Sequence, residues 1–227
     1  MARNFVIAID GPAASGKSTT AKLLAEELEC LYIDTGAMYR ACALYAYENK
    51  VDLEDFNSIE TMLDHIEINF KVINKENHIF LNSKDVSEDI RLPEISQKPS
   101  AIATIACVRR RMVDLQRRMA ENNNVILDGR DIGTVVFPEA DFKFYMVADI
   151  ETRAKRRKLE LDAKGIKTDL DELIDELAWR DINDSTRDIA PLKKAEDAFE
   201  VNTTNMSIDG QVSYILRKIN EEIAQYL

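Results

Sequence analysis

The chain has 227 residues, 45% of them hydrophobic, a formal net charge of −11 and a pI near 4.8. This suits one compact domain with a sizeable core and a small lobe, and its acidic surface disfavours a general nucleic-acid binder. No apolar run reaches the roughly 18 residues of a membrane span.

Three cysteines, Cys30, Cys42 and Cys107, lie far apart and form no CxxC pair. They read as small buried hydrophobes in a reducing cytosol, not as a disulfide frame or a zinc site. His65 and His78 lie near no other candidate ligand. The N-terminus runs straight into a strand without a leader pattern, so the expected compartment is the cytoplasm.

Residues 5–9 form the first apolar run, and "GPAASGKS" follows at once. The eight residues fit G-x-x-x-x-G-K-[ST] in full, from Gly11 to Ser18. Pro12, Ala13, Ala14, Ser15 and Gly16 keep side-chain bulk out of a loop whose backbone N–H groups wrap phosphates. Lys17 reaches the β- and γ-phosphates, the Ser18 hydroxyl can hold Mg²⁺, and Thr19 lies in the first helical turn, whose dipole favours an anion. Ala21, Leu24, Ala25 and Leu28 then make one helical stripe. A strand before and an amphipathic helix after are the context a P-loop needs, and they point to a nucleoside triphosphate. The guanine reader N-K-x-D is missing: the nearest match, 74–77, lacks the aspartate.

A second strand is predicted over 31–33, followed by "DTGAMYR". Here Thr35 reads as a helix N-cap with Arg40 in the first turns, a second candidate anion site. Over 66–81, apolar and polar residues alternate through Ile66, Ile68, Phe70, Val72, Ile79 and Leu81, with "NKEN" as a turn. This predicts a small antiparallel insert.

A helix is predicted from near Ser100, with Ile102, Ile105, Met112 and Met119 on one stripe. Arg109 falls on that stripe and needs a buried partner, either a structural carboxylate or a ligand. Arg110, Arg111, Arg117 and Arg118 read as a solvated face. A strand over 125–127 leads into "DGRD", with Asp128 a candidate acidic partner of Mg²⁺. Arg130 and Asp131 then lie beyond a strand's carboxyl end, where open α/β sheets bind ligands.

The strand 142–147 precedes two charged helices, near 151–162 and 170–184, separated by the polar stretch 163–169, which suggests a mobile flap. Arg153, Arg156 and Arg157 share one helical side, and Arg180, Asp184 and Arg187 recur at i, i+4, i+7. Each set is either a surface ion-pair ladder or a phosphate clamp. A weaker strand over 198–201 and a stripe of Ile208, Val212, Ile215, Ile219 and Ile223 close the chain. Strands alternating with helices argue for a parallel α/β sheet.

Together "DTGAMYR", "VSEDIR", "DGRDIGTVVFP", "RAKRRKLEL" and "RDINDSTRDIAPL", in that order, resemble the bacterial-type cytidylate kinases among the P-loop nucleoside monophosphate kinases. The resemblance covers essentially the whole chain. It implies a parallel-sheet P-loop kinase core with helices on both faces, an antiparallel insert in the monophosphate-binding lobe, and a helical lid. The implied division of a single domain is core 1–34, 99–150 and 190–227, lobe about 35–98, and lid about 151–189.

The implied reaction is transfer of the γ-phosphoryl group of ATP, with Mg²⁺, to CMP and usually dCMP. By motif position Thr35, Arg40, Arg130 and Arg187 hold the acceptor phosphate. Ser100, Arg109 and Asp131 read cytosine, and Arg180 and Asp184 lie at the sugar. Arg153, Arg156 and Arg157 belong to the lid over ATP. Lys17, Arg130, Arg153, Arg157 and Arg187 are the expected catalytic residues.

The expected partners are these small nucleotides alone, with no nucleic acid and no membrane, for a monomeric protein. Two positions depart from the family pattern. Ser18 stands where some relatives have glycine, and Asn202 stands where an aspartate is common. The rival readings are a kinase for UMP, dTMP or shikimate, and a nucleotide-dependent switch with no acceptor.

Overall fold

A computed structural model describes residues 4–74, 76–96 and 102–225. The chain divides into two compact units: 1–32 with 122–227, and 33–121.

The larger unit is built on the parallel sheet. Strand β1 (Val6–Asp10) pairs in parallel with β6 (Val125–Gly129) and with β7 (Phe142–Val147), and β7 pairs in parallel with β8 (Phe199–Asn202). With β2 (Leu31–Asp34) on the far side of β6, the order is β2-β6-β1-β7-β8. Unit membership changes within β2.

Helix α1 (Lys17–Glu27) and the C-terminal helix α8 (Ile208–Gln225) supply the other wall of the core. Ile7, Ile9, Leu24, Ile126, Phe144, Met146 and Ile215 pack there, all essentially sealed from solvent. Of the predicted terminal stripe, Val212, Ile215 and Ile219 are buried, whereas Ile223 is exposed because the helix runs on past the core. Two further helices, α6 (Ile150–Ala163) and α7 (Leu170–Thr186), form a hairpin around Ala154, Leu173 and Leu177.

In the smaller unit α2 (Thr35–Glu48), α3 (Phe56–His65) and α5 (Ala106–Ala120) pack around Met38, Cys42, Met62, Val108 and Met112. A short α4 (Pro93–Ser96) lies between them in sequence. The predicted insert is present as β3 (Ile68–Ile73), β4 (Glu76–Leu81) and the two-residue β5 (Lys84–Asp85), all antiparallel.

Its alternation is incomplete. Ile66 ends α3 and is not part of the strand, and Val72 is exposed because β3 extends beyond the helices that cover Ile68. The turn is tighter than "NKEN", since Ile73 already faces Glu76. Asn82 and Ser83 join β4 to β5 with φ of 48° and 67°, the left-handed pair that matches strand twist in a two-residue hairpin.

The helix holding Arg109 starts at Ala106, behind an extended Ile105, so Ile102 precedes it. Ser100 lies outside the described residues. Cys42 is buried against Met112, and burial pushes its thiol up to about 12, as suits an inert core cysteine. Among the described residues no three His, Cys, Asp or Glu side chains gather as a metal site, and no helix is long and apolar enough to cross a membrane.

Candidate active site

In the larger unit β1 ends at Asp10 and the chain turns through the glycine-rich loop into α1. Gly16 is the N-cap of α1 with φ 94°, and a Cβ there would sit 2.8 Å from the Gln211 side chain. The loop therefore needs glycine at Gly16 for both conformation and space.

Ser15 is fully buried, and its hydroxyl has no hydrogen-bond partner, an orphaned donor in a loop shaped for phosphate oxygens. Lys17 is only 6% exposed and donates to the Pro12 carbonyl at 2.9 Å. Burial, reinforced by the Arg130 cation, lowers its pKa to about 7. Ser18 donates to Asp128 at 2.6 Å, and Tyr32 donates to the other Asp128 oxygen at 2.8 Å. A hydroxyl beside a carboxylate at the end of β6 is a hard-oxygen pair of the kind Mg²⁺ prefers.

The loop after β6 is held by a residue that sequence reasoning missed. Asp10, buried, accepts the backbone N–H groups of Ile132 and Gly133, each at 2.8 Å. These open the π-turn Ile132–Val136, directly after Arg130 and Asp131. One carboxylate thus ties the end of the phosphate-loop strand to the arginine loop.

Burial, against the opposing pull of the two N–H groups, raises Asp10 to about 7, with Asp131 adding to the rise and Arg130 opposing it. Between the ordinary carboxylate range and about pH 7 the folded chain holds a proton that the unfolded chain has released. Stability therefore falls as pH rises through that window. Asp10→Asn should flatten that slope by close to one proton per molecule. It should also cost roughly 1–3 kcal/mol at pH 8, where an amide NH₂ would face a backbone N–H. Urea melts between pH 5 and 8 check this; parallel slopes in the two proteins would count against it.

Arg130 and Asp184 are paired at 2.7 Å, both largely buried. Burial pushes Asp184 up, but Arg130, backed by Arg180 and Arg187, outweighs it and the net shift is downward. Arg187 lies 3.5 Å from Asp131 and donates to the Ala190 carbonyl at 2.6 Å. Arg130, Asp131, Arg180, Asp184 and Arg187 are therefore one electrostatic group, assembled from the ends of β6 and α7.

The three arginines of α6 diverge. Arg153 is 5% exposed and makes a two-pronged pair with Asp181 at 2.7 and 3.1 Å, with further bonds to the carbonyls of Ala148 and Ala13. Arg156 donates to the Thr203 carbonyl at 2.6 Å, the Thr203 hydroxyl at 3.0 Å and the Ser15 carbonyl at 3.3 Å. Arg157 meets Glu160 at 3.1 Å on the exposed rim. Asp181 and Thr203 carried no local signal, since each acts through a partner distant in sequence. Between α6 and α7, Gly165 adopts φ 75° and Lys158 donates to the Thr168 carbonyl.

In the smaller unit the N-cap of α2 is Asp34, not Thr35. Its carboxylate accepts the Ala37 N–H at 2.7 Å and pairs with Arg40 at 3.1 Å. Thr35 is the first helical residue and is buried. Both residue types cap well, and here the longer reach of the carboxylate to the third N–H decides. Arg109 is 4% exposed, and its Nη1 donates to the Tyr39 hydroxyl at 3.4 Å.

The family model for cytidylate kinase matches residues 7–221. A cytidylate kinase from Lactobacillus johnsonii is 49% identical over 216 residues, covering 95% of this chain and 94% of its own. One from Geobacillus sp. is 47% identical, covering 98% and 100%. Among solved structures, a shikimate kinase from Bacteroides thetaiotaomicron aligns with a TM-score of 0.50 at 13% identity, over 95% of this chain and 98% of that one. An uncharacterized protein from Eubacterium ventriosum aligns at 0.51 and 13%, over 96% and 99%. These two are similar in fold alone. A complete phosphate loop, an arginine-rich group at the strand ends and a family match over nearly the full length place this chain in the cytidylate kinase family.

Proposed function

We propose that the protein transfers the γ-phosphoryl group of ATP to CMP, and to dCMP, giving the diphosphates and ADP. The observation that carries this is the family match over 7–221, supported by the intact loop from Gly11 to Ser18.

The acceptor is already an anion, so no strong general base is needed. The chemistry consists of bringing two polyanions together in line and neutralising their charge. Lys17 and the N–H groups at the start of α1 hold the donor phosphates. Ser18 and Asp128 fit Mg²⁺, which when bound would draw charge from the ATP phosphates.

On the acceptor side the proposed contacts are Thr35, Arg40, Arg130 and Arg187 for phosphate. Ser100, Arg109 and Asp131 are proposed for cytosine, and Arg180 and Asp184 for the sugar. Residues 151–189 are proposed as a lid, with Arg153, Arg156 and Arg157 on the donor side, and 35–98 as the monophosphate lobe. Exclusion of water by the lid would protect the phosphoryl group from hydrolysis. Action in the cytoplasm, as a monomer and without nucleic acid or membrane, belongs to the same proposal.

Base choice follows from polarity. Cytosine offers an N4 amine that suits Asp131 and acceptors that suit Arg109, whereas uracil would set a carbonyl against the carboxylate. A panel of CMP, dCMP, UMP, dTMP and shikimate with ATP tests the assignment. CMP is expected to be preferred, and ATP hydrolysis indifferent to every acceptor would return the chain to the switch reading.

Arg109→Met in the same panel should lower kcat/KM for CMP by roughly 2–4 kcal/mol and for UMP by far less, as charge-assisted bonds to the base are lost. An unchanged CMP/UMP ratio with a lower Tm would make Arg109 a structural partner of Tyr39.

A further inference from the structure

The smaller unit carries a cavity that the proposed reaction does not use. It measures about 510 Å³ and is lined by Arg111, Leu115 and Arg118 of α5, by Asp64 and Glu67 around the end of α3, and by Ser83 of the β4–β5 turn. That volume is within the range of small-molecule sites. None of these residues belongs to the proposed acceptor set. Arg111 is roughly 200° round the helix from Arg109, two residues earlier.

Both arginines were expected on a solvated face, and the structure departs from that for Arg111. Its Nε is buried with no hydrogen-bond partner. Neither Arg111 nor Arg118 pairs with a carboxylate among the described residues. By contrast Arg40, Arg91, Arg130, Arg153, Arg157, Arg187 and Arg217 all do. Asp64 and Glu67 line the same cavity, yet neither forms an ion pair with these arginines.

In a chain of net charge −11, two such cations at i and i+7 on one helix face are conspicuous. A desolvated guanidinium N–H without an acceptor is costly, and an incoming oxygen would recover that cost. The turn opposite is rigid: Asn82 and Glu67 exchange two hydrogen bonds, at 2.8 and 2.9 Å, so the wall is preformed.

We propose that this cavity binds a small hydroxyl-bearing phosphomonoester, its phosphate on Arg111 and Arg118 and its hydroxyls on Asp64 and Glu67. Guanidinium donors match phosphate oxygens in pairs. The two carboxylates repel a bare polyanion but accept hydroxyl donors, which selects a sugar phosphate over inorganic phosphate.

The test is residue-resolved ¹H–¹⁵N NMR of the full chain, titrated with ribose 5-phosphate and separately with inorganic phosphate. The amides of Ser83 and Arg111 should shift saturably with ribose 5-phosphate, and inorganic phosphate should bind more weakly. Arg111→Met with Arg118→Met should weaken that binding at least about tenfold, a loss of ~1.4 kcal/mol. Arg118→Glu, at an exposed position and so without risk to folding, should do the same. Phosphoryl transfer at saturating nucleotide should be unchanged in both variants.

Three outcomes would overturn the proposal. The first is an absence of saturable shifts at Ser83 and Arg111 while Gly16 responds to ATP. The second is a response that survives both sets of substitutions. The third is a response that follows protein concentration instead of ligand, which would mean that a second copy of the chain covers this face.

Discussion

Lys17→Ala is expected to slow phosphoryl transfer by about two to three orders of magnitude while leaving a folded protein. The ammonium is held inside the phosphate loop by the Pro12 carbonyl, close to where the β- and γ-phosphates of ATP would lie. Charge developing on the transferring group has no other lysine in that loop. Removing a preorganised cation of this kind costs about 3–4 kcal/mol in kcat/KM, two to three orders of magnitude in rate. Stability should move the other way or not at all, because a buried cation is a burden on the folded state. A coupled ADP assay with a thermal melt checks both halves. Near-normal turnover in a folded variant would remove the catalytic role of Lys17.

Gly11→Ala is expected to damage the fold itself. A Cβ at Gly11 would lie 2.2 Å from the Met146 carbonyl oxygen and 3.1 Å from its carbon. Those atoms are backbone in β7, which is paired on one side with β1 and on the other with β8, so they cannot swing away as a side chain would. The residue also has φ 154°, which L-residues rarely adopt. A cost of roughly 3–5 kcal/mol is expected, seen as a large fall in Tm or loss of soluble protein. Gly165→Ala is the control. Its φ of 75° is strained, but the new Cβ would meet nothing within 4 Å, so about 1 kcal/mol should be lost. Equal stability of the two variants would refute the packing argument.

What was legible in the sequence was local. The phosphate loop needs only a run of neighbouring residues. Strands such as β1 announce themselves by unbroken apolar runs, and the burial of Arg109 follows from helical spacing within α5. What stayed hidden depends on pairs far apart in the chain. Asp10 looks like the last polar residue of a strand until the sheet brings Ile132 and Gly133 over it. Arg153, Arg156 and Arg157 share one side of a helix on paper, yet their ends go to Asp181, to Thr203 and to Glu160. The cap of α2 was ambiguous for a different reason: adjacent Asp34 and Thr35 are both good caps, and only geometry separates them.

The fastening of the phosphate loop makes a local motif answerable to distant segments. Thr203 donates to the Ser15 carbonyl from 188 positions away, and Thr20 donates to Gln211 across 191. The loop is contiguous in sequence, but its clamps come from the residue after β8 and from α8. Loosening of β8 or α8 would leave every letter of the nucleotide signature in place and take the clamps from its cradle. The rigidity of the triphosphate cradle is thus tied to the docking of segments that carry no part of the signature.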